Sequence, residues 1–159
     1  MSRLSIQFRD LRPDMVRVAR HTILTVPPAI AWTLVRDFGA MADWNDMVKS
    51  SRIENGPADQ VGCRRVLAFV DDGVWIHELT GLSDPDMTLT YRIVGMPTPT
   101  PISIRNYSAT LSVRSESAGK SCRVDWSAEF DTDDIEEMVK RAGQVFERGF
   151  EGLRRRLLA

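Results

Sequence analysis

The stretch Asp133–Leu158, DDIEEMVKRAGQVFERGFEGLRRRLL, decides how the rest of the chain is read. Its Met138, Ala142, Val145, Phe146, Gly149 and Leu153 recur at three- and four-residue spacing, the signature of an amphipathic helix. Acidic residues (DTDDIEE) gather at its start and Arg154, Arg155 and Arg156 near its end, the order that complements a helix macrodipole. The arginine run is therefore read as a helix end before it is read as a phosphate site. One long helix with one apolar stripe needs one apolar surface to cover.

Upstream of it the chain supplies strands. The first candidate runs from Met15 to Thr25. Pro27-Pro28 then opens a short helix, AIAWTLVRDF, since proline is tolerated in a first turn. Gly39 ends that helix, and a second short helical piece, AMADWN, leads into the strand MVKSSRIE. Four more strands follow the turn NGPADQVG: CRRVLAFV, VWIHELTGL, MTLTYRIV and ISIRNYSATLSVRS, with SCRVDWSAEF as the last. DDG, SDPD and the proline-rich GMPTPTP separate them as turn signals. Six consecutive strands on short connections form a largely antiparallel meander, because parallel neighbours need long crossovers. Only the terminal helix is available to cover the sheet's buried face. A strongly curved sheet wrapped around one helix leaves a cavity between them.

The 159 residues fit one domain with interior enough for a core and a cavity. An amino-terminal arm, residues 1–13, precedes that domain, residues 14–159. Leu4, Ile6 and Phe8 alternate in the arm, as an extra edge strand or a strapping tail would. They are the candidate surface for a protein contact such as a homodimer. A net charge of −1 and scattered Lys and Arg argue against nucleic-acid binding. Cys63 and Cys122 lie in strand-like runs without a CxxC pattern and read as buried free thiols, not a zinc or disulfide framework. No apolar run approaches the ~18 residues of a membrane span, and MSRLSIQFRD lacks a signal-peptide core. The expectation is a cytoplasmic protein with neither metal nor cofactor.

The pieces TVPPAIAWTLVRDFGAMADWN, VGCRRVL, HELTGLSDPDMTLTYRIV, IRNYSATLSV and CRVDWSAEFD resemble the START-like superfamily, also called helix-grip or SRPBCC, and within it the polyketide cyclase/dehydrase-like branch. The resemblance implies an α+β fold with about seven antiparallel strands wrapped around a long C-terminal helix. Two short helices follow the first strand. It also implies a cavity lined from the second strand by Asn45 and Met47, from the third by Leu67 and Phe69, and from the fourth by Trp75 and His77. Tyr91 and Ile93 would line it from the fifth strand, Tyr107 and Ala109 from the sixth, and Trp126 from the seventh. Val145, Phe146 and Gly149 would complete it from the helix. The chain departs from the plant abscisic-acid receptors of the same superfamily at the short VDDGV turn and at the longer GMPTPTP loop. Both departures speak against a hormone-receptor role.

Alternation supports part of this assignment, since residues two apart on a strand share a face. Trp75, His77 and Leu79 share one, with Val74, Ile76 and Glu78 opposite. Leu89, Tyr91 and Ile93 share another, and so do Cys63, Arg65, Leu67 and Phe69. For His77 two readings stand: an acid/base group, because imidazole titrates near neutrality, or a core histidine satisfied by a neighbour. Tyr91 and Tyr107 are candidate donors to a carbonyl or developing enolate, or rings filling core volume. Trp75 and Trp126 are flat walls suited to an aromatic ligand. Arg65, facing inward, would need a carboxylate or an anionic ligand, or would reach the rim along its aliphatic stem. Asp43 and Asp46 could pair as carboxylates but are more simply a solvent-facing turn. The expected function is binding of a hydrophobic, aromatic or polyketide-like molecule and its cyclisation or dehydration by acid/base chemistry, with His77, Tyr91 and Tyr107 as catalytic residues. The alternative is a carrier or sensor that leaves its ligand unchanged.

Overall fold

A computed structural model describes residues 15–100 and 102–158. The arm with Leu4, Ile6 and Phe8, and Pro101 of the GMPTPTP loop, lie outside the described residues. Seven strands form one antiparallel sheet: β1 (Met15–Leu24), β2 (Val48–Glu54), β3 (Arg64–Phe69), β4 (Val74–Ser83), β5 (Thr88–Gly95), β6 (Arg105–Glu116) and β7 (Ser121–Asp131). Their order is β1-β7-β6-β5-β4-β3-β2. The meander runs from β2 to β7, and β1 closes against the last strand. Two short helices, α1 (Pro28–Val35) and α2 (Met41–Trp44), follow β1, and α3 (Ile135–Leu158) lies in the grip of the sheet.

The helices begin where their sequences allow. Pro28 opens α1 without needing its missing N–H. Asp134 caps α3: its carboxylate accepts the Glu137 N–H at 3.2 Å, so the helix starts at Ile135, two residues later than its charge pattern predicts. Asp84 in the β4–β5 turn accepts from Trp32 Nε1 at 2.8 Å and from Arg36 Nε at 2.8 Å, which fastens α1 across the turn. β4 bends at two irregularities in its pairing with β5, between Ile76 and His77 and between Leu79 and Gly81. Such bulges add local twist and curl the sheet.

The two halves of α3 sit differently. At Gly149 an added Cβ would lie 2.7 Å from the Trp126 ring and 2.9 Å from that of Trp44; at Gly152 it would lie 1.5 Å from the Trp44 carbonyl oxygen. The C-terminal half is thus pressed onto α2 and β7 through glycines. Its neighbour Phe146 stacks on Trp126 with ring centroids 4.4 Å apart. Toward the amino terminus Met138, Ala142 and Val145 stand over open space instead of the sheet. At its far end Arg154 donates to Thr22 Oγ1 and Arg155 lies 3.6 Å from Asp46, so the arginine run serves to dock the helix.

Two glycines of one helix should therefore respond oppositely to alanine. Gly152→Ala collides with main chain and should cost about 3 kcal/mol, as overpacking against an immovable neighbour does. At Gly143 the new methyl meets only the mobile end of Arg20, 3.1 Å away. Gly143→Ala should gain up to about 1 kcal/mol from helix propensity. Urea midpoints of the two variants check this.

Candidate functional site

The cavity between α3 and the sheet has a volume of about 160 Å³. That is close to the roughly 150 Å³ that admits one benzene ring. Its deep wall is His77 on β4, Tyr91 on β5 and Trp126 on β7. Trp75, Phe69, Met47 and Met41 form one side, and Ile93, Ile102, Ile104 and Tyr107 the other, with Met138, Ala142, Val145 and Phe146 as the roof. Asp71, Arg141 and Gln144, all exposed, rim the mouth. A second pocket of about 370 Å³ lies beneath the Met96–Thr100 loop and shares Ile93, Ile104 and Tyr107 with the first.

Register explains what stands at the deep wall. Arg65 pairs directly with His77 across β3 and β4, and His77 with Ile93 across β4 and β5. On the outer face the adjacent residues Arg64, Glu78 and Arg92 line up in the same way. Arg64 Nε donates to Glu78 at 3.1 Å and Arg92 NH2 at 2.8 Å. Those two arginines hold the Glu78 carboxyl below its usual range.

Arg65 is 2 % exposed. It does not reach the rim, and no carboxylate lies within ion-pair distance of it among the described residues. Its Nε and NH2 point at His77 Nδ1, at 3.2 and 3.1 Å, and NH1 donates to the Phe38 carbonyl oxygen at 3.4 Å. Its guanidinium carbon lies 4.1 Å from the centre of the Phe38 ring and 4.6 Å from that of Tyr91. Burial pulls its pKa down to about 10, which still leaves it a cation at neutral pH.

This contact fixes the state of His77. A guanidinium has only donors, so Nδ1 must accept, and the proton of the neutral ring sits on Nε2. Desolvation first, and the Arg65 charge second, hold the imidazole well below 6.5. His77 stacks on Tyr91 with centroids 4.9 Å apart, lines the cavity, and has no protein partner at Nε2 among the described residues. Nε2–H is thus a hydrogen-bond donor available to whatever occupies the cavity. A lone pair able to take a proton from a ligand is absent from this ring, because Nδ1 holds it against Arg65.

The tyrosines are donors of the same kind. Trp126 Nε1 donates to Tyr91 Oη at 3.0 Å. Burial raises the Tyr91 hydroxyl above its ordinary value, although Arg65 and the neighbouring Tyr107 hydroxyl draw it down. Tyr107 is pushed well above 10, by burial first and then by Tyr91. Both keep their protons.

Of the residues expected at the cavity, His77, Tyr91, Tyr107, Met47, Phe69, Trp75, Ile93, Trp126, Val145 and Phe146 line it, and five others do not. Arg65 stands behind His77. Asn45 is spent on structure: its amide donates to the Val145 carbonyl at 3.0 Å and its oxygen accepts the Met47 N–H at 3.2 Å. Leu67 is wholly core, and Ala109 is buried with too short a side chain to reach past the tyrosines. Gly149 is covered by Trp44, Trp126 and Asn45. Asp46 is held by Arg148 at 2.9 Å and Asp43 is exposed, so they form no carboxylate pair. Among the lining residues not expected, Met138 and Ala142 continue the apolar stripe of Val145 backward by helical steps, a signal present in the sequence. Asp71, Arg141, Ile102 and Ile104 carry no such signal.

A family model described as polyketide cyclase/dehydrase and lipid transport matches residues 15–158. The chain belongs to that family. Its helix-grip architecture is also that of an uncharacterised protein from Bacillus thuringiensis (TM-score 0.80, 22 % identity, 91 % of this chain and 100 % of that one). The protein XoxI from Bacillus cereus is as similar (TM-score 0.80, 23 % identity, 90 % and 96 %). A Thermobifida fusca protein follows (TM-score 0.75, 28 % identity, 86 % and 89 %). No curated protein matches the chain. Family membership supports binding of a hydrophobic ligand. Among the described residues no helix is long and apolar enough to cross a membrane, and no cluster of three His, Cys, Asp or Glu side chains converges as metal ligands would.

The buried state of His77 sets a pH dependence. Below the ordinary imidazole value of 6.5 the unfolded chain binds a proton that folded His77 refuses, so the unfolded state binds more protons and stability falls as pH falls. Thermal melts of wild type and His77→Gln at about pH 7.5 and pH 5.5 should show the smaller acid loss in the variant. Equal losses would contradict the assigned state.

Proposed function

We propose that the protein binds a compact apolar molecule carrying a carbonyl oxygen, and promotes its cyclisation or dehydration by polarising that oxygen. The observation that supports this is the convergence of uncharged donors on an apolar, ring-sized cavity: His77 Nε2–H, with the Tyr91 and Tyr107 hydroxyls beside it. Donors fixed in a water-poor site stabilise the negative charge that grows on oxygen as an adjacent C–H is lost. His77 acts here as an electrophile and not as the proton acceptor, since Nδ1 is held by Arg65. The α-proton leaves to solvent at the mouth. The departing hydroxyl takes up a proton from the same solvent and leaves as water.

A second reading, a carrier that returns its ligand unchanged, draws support from the same tautomer. Among the described residues the deep wall offers donors but no free base.

The two readings part in one experiment. The small molecule that co-purifies with the protein from its own host is extracted, identified by mass spectrometry, and incubated with fresh protein. Turnover, with His77→Phe lowering kcat by about a hundredfold and KM little changed, is the expected result. Recovery of unaltered ligand, with His77→Phe weakening only its affinity, selects the carrier.

A further inference from the structure

A buried guanidinium without a carboxylate is the feature that a carbonyl site alone does not require. An uncharged donor such as a glutamine amide in place of Arg65 could fix the same tautomer and let His77 and Tyr91 hold a neutral carbonyl oxygen. The strands instead keep a full positive charge 2 % exposed, offset by a histidine nitrogen, one main-chain carbonyl and two aromatic faces. None of these carries a negative charge. The Nε2–H bond of His77 leads from that cation into the cavity.

We propose that the cavity takes its ligand as a ring-borne oxyanion, a phenolate or the enolate of a cyclic enol, seated on His77 Nε2–H. This deepens the proposed function by naming the substrate class and rests on the same donor wall. A carboxylate is the poorer fit, because the fork that would grip both its oxygens is turned onto Nδ1 and leaves a single ring donor at the cavity. A cavity of about 160 Å³ admits one ring and little more. The groups that face His77 favour the anion or are indifferent to it: Arg65 from β3, and Tyr91 and Tyr107, both protonated, from β5 and β6. Asp71 and Arg141 oppose each other in charge at the mouth. Binding of the acid form releases its proton to solvent, so the bound probe's pKa falls. Arg65 is a positioning residue: it touches His77, not the ligand.

The test uses 4-nitrophenol, whose phenolate has its own visible absorption, and nitrobenzene as a neutral ring of similar size, with binding followed by quenching of Trp75 and Trp126. Expected is a bound nitrophenol that titrates about one unit or more below its value in solution, equivalent to about a tenfold preference for the anion. Arg65→Met should abolish the shift and Arg65→Lys should keep most of it. The wild-type spectrum carries the test even if Arg65→Met fails to fold. Equal binding of both probes with no shift overturns the inference and leaves an apolar cavity standing. Binding of neither overturns the inference and removes support for the cavity reading as well.

Discussion

The arrangement of the interior turns on the contact between the Arg65 guanidinium and His77 Nδ1. Stripping a charge of water costs several kcal/mol in a protein interior. A desolvated cation over an aromatic face recovers about 2 kcal/mol per ring. Phe38 and Tyr91 together therefore compensate part of the cost without cancelling the charge. What remains is a field, and the nearest titratable group to feel it is His77. The ring is kept neutral, its proton is sent to Nε2, and its inward nitrogen becomes a donor. One cross-strand pair thus decides the chemistry that the deep wall can offer.

That wall has a cavity in front of it because α3 is uneven. Glycines at 149 and 152 allow Trp44 and Trp126 to sit against the helix backbone, so the C-terminal half lies as close as main chains permit. The helix cannot then settle on its other half without bending. Met138, Ala142 and Val145 are left spanning a sheet that curls away from them at the β4 bulges. Asn45 reinforces the arrangement by bonding the Val145 carbonyl, which fixes α3 to the end of α2 at the margin of the space. The side chains that do not line the cavity are in this sense the ones that hold it open.

The architecture was legible because it depends on periodicity. The stripe and charge sorting of α3, the two-residue alternation of the strands, and the turn signals between them are local patterns. Faces followed from the same alternation, which placed Trp75, His77 and Tyr91 inward. What alternation could not supply was distance across strands. Cys63, Arg65, Leu67 and Phe69 share a face, but only the register shows that Arg65 meets His77 and that Leu67 meets Trp75. Arg65 was therefore left between a ligand-binding place in the cavity and a place at the rim, and His77 was read without the partner that reverses its role. Asn45 fails as a ligand residue for a different reason. An amide in a tight connection finds main-chain partners first, and its sequence position does not reveal that both ends are already taken.

Register itself needs a cause, and the outer face of the sheet supplies one. A slip of β4 by one residue against its two neighbours would carry His77 to solvent and bring Glu78 into the cavity. Glu78 lies between Arg64 and Arg92 on the outer face, directly opposite each in the ladder. Surface ion pairs of this sort contribute too little on their own to hold the sheet together. Their value lies in discrimination. The slipped pairing would lose both bridges and bury Glu78 beside apolar residues, and burying an unpaired charge is far more costly than losing a surface bridge. The visible salt bridges on the outside and the solitary cation inside are two consequences of one alternation, and the exposed triad keeps the buried pair in register.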